Sequence, residues 1–224
     1  TALRRQRQMC IRDRYITLEM AEERIAERID ANLLDVTMED LHDMPQQLYE
    51  GKITKLREKT QGQLVIKEYP TASAHSGHFK SLMNELALKK SFRPDVIFID
   101  YLNICASSRF KGGNISSYFY VKAIAEELRG LAVEFNVPIF SATQTTRTGY
   151  VSTDIGLEDT SESFGLPATA DFMFALISNE ELEALGQMKV KQLKNRYNDP
   201  SVNRAFIIGV DRAKMRLYDV QQKA

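Results

Sequence analysis

Short unbroken apolar runs alternate along this chain with longer stretches of helical spacing. The sharpest run is Val96-Ile97-Phe98-Ile99, where β-branched and aromatic residues bounded by Pro94 and a polar loop predict a strand buried on both faces, ending in Asp100. Similar runs predict strands at Tyr15–Leu18 (ending at Glu19), Leu64–Tyr69 (stopped by Pro70), Val137–Ala142 (ending at Thr143-Gln144) and Phe172–Ile177, the last also read as buried. Between them lie helical spacings. Met20–Leu34 carries Ala21, Ile25, Ile29 and Leu33, and Phe79–Lys90 turns Leu82, Met83 and Leu86 inward. Val121, Ile124, Leu128, Leu131 and Phe135 follow one another at intervals of 3, 4, 3 and 4, the clearest amphipathic helix in the chain. The charged stretch Thr37–Gln61 predicts one or two surface helices. Asn103–Ser117, with Arg109, Lys111, Gly112 and Gly113, predicts a mobile basic loop, and Thr145–Thr160 a second polar loop. Met188–Leu193 alternates partly, and Ala205–Val210 with Met215–Val220 predict a hairpin around Asp211–Lys214. The order implies a three-layer α/β domain with a mostly parallel central sheet and antiparallel strands at the end.

Length and composition narrow this picture. The 224 residues suit one domain with a proper core, and 30 basic side chains cancel 30 acidic ones, so any contact with a polyanion or a membrane surface must be local. Cys10 and Cys105 cannot build a disulfide framework or a metal cluster, which suits a reducing, cytosolic setting. No uncharged apolar segment approaches the roughly 18 residues of a membrane span. Thr1–Arg14 stands apart, with five arginines and no hydrophobic region of a secretory signal. Its Arg5–Asp13 stretch resembles the translation of a sequencing-adapter oligonucleotide, so residues 1–14 are expected to be non-native, with native sequence beginning near Tyr15.

Three strand ends then carry chemistry. If the strands are parallel, Glu19, Asp100 and Gln144 lie at one sheet edge, where open α/β sheets bind ligands. For NTP hydrolysis, a carboxylate such as Asp100 holds a Mg²⁺ shell through water, one such as Glu19 orients and deprotonates the attacking water, and an amide such as Gln144 senses the γ-phosphate. Each has a plainer reading: Asp100 as a loop cap, Glu19 as an acid at a helix N-terminus, Gln144 as a solvated loop residue. The phosphate-cradling G-x-x-x-x-G-K-[ST] motif is missing from the chain, whose one Gly-Lys pair, Gly51-Lys52, lacks the earlier glycine. In a P-loop fold it would lie upstream of Tyr15. Lys191, Lys194 and Arg196 form a basic strand end, which is either solvated or a finger reaching a neighbour's γ-phosphate.

Taken together the motifs resemble one family, the hexameric replicative DNA helicases of DnaB type with a RecA-like motor, and its T-even-type phage branch in particular. Tyr15-Ile16-Thr17-Leu18-Glu19-Met20 is similar to the family's strand-Glu-Met motif, Val96–Leu102 to its Walker B segment, Ser141-Ala142-Thr143-Gln144 to its third motif and Lys194-Asn195-Arg196-Tyr197 to its Lys-x-Arg finger. Ala123–Arg129 and Gly165–Met173 look phage-type. The resemblance implies a RecA-like three-layer sandwich over residues 15–224, lacking its first strand and phosphate loop. It implies ATP or another NTP with Mg²⁺ at Asp100, Glu19 as catalytic base, Gln144 as sensor, and Lys194 and Arg196 acting on the adjacent subunit's nucleotide. Arg109, Lys111, Arg147 and the Glu162–Gly165 turn become the candidates for single-stranded DNA. Ser161 departs from the basic residue many bacterial members carry before that glutamate. The partners implied are DNA at a replication fork, a homohexamer of the chain itself, a primase and a helicase loader, in a host cytoplasm if phage-encoded. The function implied is NTP-driven translocation and unwinding, with the fragment alone expected to be inactive. A RecA-like recombinase and a non-catalytic helicase relative that binds DNA or a helicase ring remain the alternatives.

Overall fold

A computed structural model describes residues 11–60, 62–110, 115–145, 156–157, 165–199 and 201–221. The first half builds a parallel sheet. Strand β1 (Arg12–Thr17) lies between β2 (Gln63–Glu68) and β3 (Val96–Asp100), and β3 pairs in turn with β4 (Ile139–Ser141), giving the order β2-β1-β3-β4. The register aligns the strand ends: Thr17 pairs with Asp100, and Ile99 with Ser141. β1 starts at Arg12, three residues before the strand expected at Tyr15, so part of the segment set aside on sequence grounds is paired in the sheet.

Helix α1 (Glu22–Leu34) follows β1. Its inward residues are Ile25 and Ala31, while Leu33, expected on the apolar stripe, is exposed. Helices α2 (Met38–His42) and α3 (Gln46–Lys59) fill the charged stretch and bury no residue, as surface helices should. Helix α4 (Ser76–Lys90) buries Phe79, Met83 and Leu86. Helix α5 (Ser117–Phe135) follows the 3–4 spacing, with Val121, Ile124, Leu128 and Leu131 buried and Phe135 packed at the margin. These two helices close over Ile16, Leu18, Ile97 and Ile99 of the sheet as one core, each fully buried aliphatic side chain stabilising it by about 1.5–3 kcal/mol. The opposite sheet face carries the alternate residues, Tyr15, Phe98 and Phe140, whose rings stack in a row across β1, β3 and β4 at 6.3 and 5.4 Å.

The second half forms its own sheet. After helix α6 (Gly165–Thr169), β5 (Phe172–Ile177) pairs antiparallel with β6 (Gln187–Asn195), then β7 (Ala205–Asp211) and β8 (Arg216–Asp219), with helix α7 (Glu180–Ala184) between β5 and β6. The terminal hairpin is therefore the outer half of a four-stranded antiparallel sheet. β5 departs from expectation: Ala175 and Ile177 are buried, but Phe172, Phe174 and Leu176 are 46, 48 and 55% exposed, so only one face is covered. Both β4 and β5 leave one edge unpaired among the described residues. No described helix is long and apolar enough to cross a membrane.

Candidate active site

Parallel pairing brings Glu19, Asp100 and Gln144 to the same end of three neighbouring strands. Leu18 N donates to Asp100 O at 2.9 Å, and the Thr17 side chain then closes a turn with Met20, its Oγ1 donating to Met20 O and accepting from Met20 N. Glu19 is thereby held exposed at the turn, its carboxylate without an ion pair among the described residues. Past β3, Leu102 N donates to Ala142 O, and Ser141 Oγ donates to Ile99 O at 2.8 Å, so the ends of β3 and β4 are tied together.

Asp100 is partly buried. Tyr15 Oη donates to its Oδ2 at 2.8 Å, while Oδ1 has no partner among the described residues. Burial first, and then this hydrogen bond to a carboxylate, push the Tyr15 phenol above its ordinary range, so the tyrosine stays a donor. Gln144 Nε2 donates to Tyr101 Oη at 3.1 Å, which aims the exposed amide back over the Asp100 strand. A free carboxylate oxygen such as Asp100 Oδ1 is a hard donor of the kind that suits a hydrated Mg²⁺ rather than a softer metal.

Two further groups of expected residues lie away from these three. Arg109 is exposed at the root of the basic loop, where its Nη1 meets Glu126 Oε2 of α5 at 2.5 Å. The loop root itself is ordered. Glu127 accepts from Ser107 Oγ at 2.6 Å, from Ser108 N at 2.9 Å and from Ser76 Oγ of α4 at 2.9 Å. Burial raises the Glu127 pKa, but the serine donors outweigh it and hold the carboxyl below its usual range. Beside it, burial and then the Glu127 charge push the Cys105 thiol up to about 12, which leaves it inert as a nucleophile. Gly165 is buried against the stem of Lys122, whose Cδ would stand 2.9 Å from a Cβ there. Lys111, Arg147 and Glu162 lie outside the described residues.

Lys194 and Arg196 come together at the end of β6. Lys194 Nζ donates to the carbonyls of Pro167 and Ala168, and Arg196 Nη2 donates to Ala168 O at 2.7 Å. Partial burial, then the Arg196 charge, lower the Lys194 pKa. Sequence reasoning gave no role to Tyr15, Glu127 or Asp171, which accepts from Arg196 Nη1 at 2.8 Å. The only signal was that each lies inside a quoted motif.

The family model of the DnaB-like helicase C-terminal domain matches residues 2–212. The chain belongs to this family. It is 47% identical over 211 residues to the DnaB-like replicative helicase of Enterobacteria phage T4, a match that covers 93% of this chain and 44% of the phage protein. A probable plasmid replicative DNA helicase of Chlamydia trachomatis serovar L2 is 34% identical over 138 residues, 59% of this chain and 28% of its own length. The chain thus spans less than half the length of these curated relatives. Among solved structures, a DnaB-like replicative helicase described with its primase interactions superimposes with a TM-score of 0.73 at 16% identity, over 95% of this chain and 51% of that one. A solved ATPase domain gives the same TM-score and identity over 75% of its own length. At that identity the likeness bears on the fold, and it is the RecA-like fold of DnaB-like motors.

Proposed function

We propose that this DnaB-like chain is the motor part of a replicative helicase that couples NTP hydrolysis to translocation on single-stranded DNA and duplex unwinding. The observation that carries the reading is the convergence of Glu19, Asp100 and Gln144 on three strands locked in register. Glu19, with no ion pair among the described residues, is placed to take a proton from an attacking water. Asp100, oriented by Tyr15, presents an oxygen towards a hydrated cation. Gln144, resting on Tyr101, can change partner when phosphate leaves and pass that change to the polar loop that follows it. Bound Mg²⁺ would offset charge on the nucleotide phosphates. Lys194 and Arg196 are read as the finger for a neighbour's nucleotide in a homohexamer, and Arg109, Lys111, Arg147 and the Glu162–Gly165 turn as phosphate contacts to DNA. Primase and loader complete the partners of the whole protein, in a host cytoplasm.

The phosphate loop belongs, on this reading, to a strand upstream of Tyr15. Such a strand would run parallel beside β4, whose outer edge is unpaired among the described residues and which itself adjoins the Asp100 strand. The decisive experiment is on the intact helicase: E19Q lowers DNA-stimulated kcat on the order of 10²–10⁴-fold, as loss of a general base does, with nucleotide affinity unchanged. An E19Q enzyme that hydrolyses at the parent rate refutes the assignment.

A further inference from the structure

Asp171 stands between α6 and β5, and a single oxygen of its carboxylate takes two arginines from distant segments. Arg129 Nη1, on α5, reaches Oδ1 at 2.8 Å, and Arg196 Nη1, at the end of β6, reaches the same atom at 2.8 Å. Each guanidinium has a second anchor on the same short stretch of backbone: Arg129 Nη1 also donates to Thr169 O, and Arg196 Nη2 to Ala168 O. The main chain joins in, with Arg196 N donating to Asp171 O at 3.0 Å. Of the five N–H donors of Arg196, two are thus spent, one on each terminal nitrogen, and the side chain stays 42% exposed. Lys194, also bound to the Pro167–Ala168 carbonyls, is held next to it.

A guanidinium held by two of its donors, part-exposed and with donors to spare, is suited to meeting a phosphate with the remaining ones. A long flexible side chain would otherwise have to be ordered at the moment of reaction. We propose that Asp171 is the positioning residue of the Arg196 finger, holding its guanidinium in a preset plane through the Asp171–Arg196 pair, while Arg129 fixes Asp171 to α5. This rests on the reading of Arg196 as a finger.

The test uses the intact helicase with R196A, D171N, D171E, R129Q and the double variant D171N/R196A, measuring DNA-stimulated hydrolysis and hexamer assembly. R196A tests the finger reading by itself: if it hydrolyses normally, that reading falls and the positioning role with it. With R196A inactive, D171N is expected to lose on the order of 10–100-fold in kcat with KM for NTP held, the cost of misorienting a reacting group. D171E, which keeps the charge on a longer arm, falls between, and R129Q, which loosens Asp171 but leaves the Asp171–Arg196 pair in place, lowers kcat less than D171N. In the R196A background D171N has no additional effect. A D171N enzyme with parental kcat, an R129Q enzyme as slow as D171N, or additive losses in the double variant overturns the positioning role alone. Should D171N not assemble, the D171E and R129Q pair decides by the same criterion.

Discussion

Arg14 shows how much a single side chain can reveal. It is fully buried on β1, on the face it shares with Ile16, and its Nε, Nη1 and Nη2 have no hydrogen-bond partner among the described residues. Burial pushes its pKa down to about 10 although Tyr69 and Glu22 pull the other way. A guanidinium stripped of water without a partner costs free energy that an apolar side chain would not. Arg14→Leu should therefore stabilise the fold by about 1–3 kcal/mol, visible as a higher midpoint in thermal melting. If the substituted chain melts at or below the parent, the arginine is compensated in place. That the candidate site residues Glu19, Asp100 and Gln144 share one sheet edge was legible in the sequence because each ends a local apolar run. Asp171 was not, because its partners lie 42 and 25 residues away and only the folded chain brings them to one oxygen.

Elements whose pattern fits a single environment were the easiest to read. The stripe of α5 is buried as its spacing required, and β3 with its terminal carboxylate lies between β1 and β4. β5 misled because a run of apolar residues looks the same whether protein covers one face or two; here the Phe172, Phe174 and Leu176 face is open. The basic loop also differs from the expectation of mobility at its root, where Glu127 gathers the serines of two segments. Glu127→Ala should cost about 1.5–3 kcal/mol, the worth of hydrogen bonds to a charged acceptor, and should speed proteolysis near Ser108. The same carboxyl has its pKa lowered on folding, so its contribution is complete above the ordinary value of 4.5 and is lost as pH falls below it. An acid unfolding profile that keeps the parent shape after Glu127→Ala would contradict this.

At the scale of the molecule, the described residues hold two four-stranded sheets and the strand-end carboxylates and amide of the proposed site, while the sequence holds no G-x-x-x-x-G-K-[ST] phosphate cradle. Backbone N–H groups supply much of the binding in such cradles. The chain alone should accordingly bind a fluorescent ATP analogue more weakly than on the order of 10⁻⁴ M, below the range of working enzymes, while the intact helicase binds it tightly. Micromolar affinity for the chain alone would mean that phosphates are held by some other part of it.

The unpaired edge of β4 has a practical consequence. A flat, apolar edge beside Phe140 is a template for whatever strand arrives first, so concentrated solutions of the chain should associate edge to edge. On the proposal that the phosphate loop lies on a further strand, a synthetic peptide carrying that strand and loop should dock there by β-augmentation, suppress that self-association and confer nucleotide binding on the pair, while the same peptide with proline at its centre should do neither.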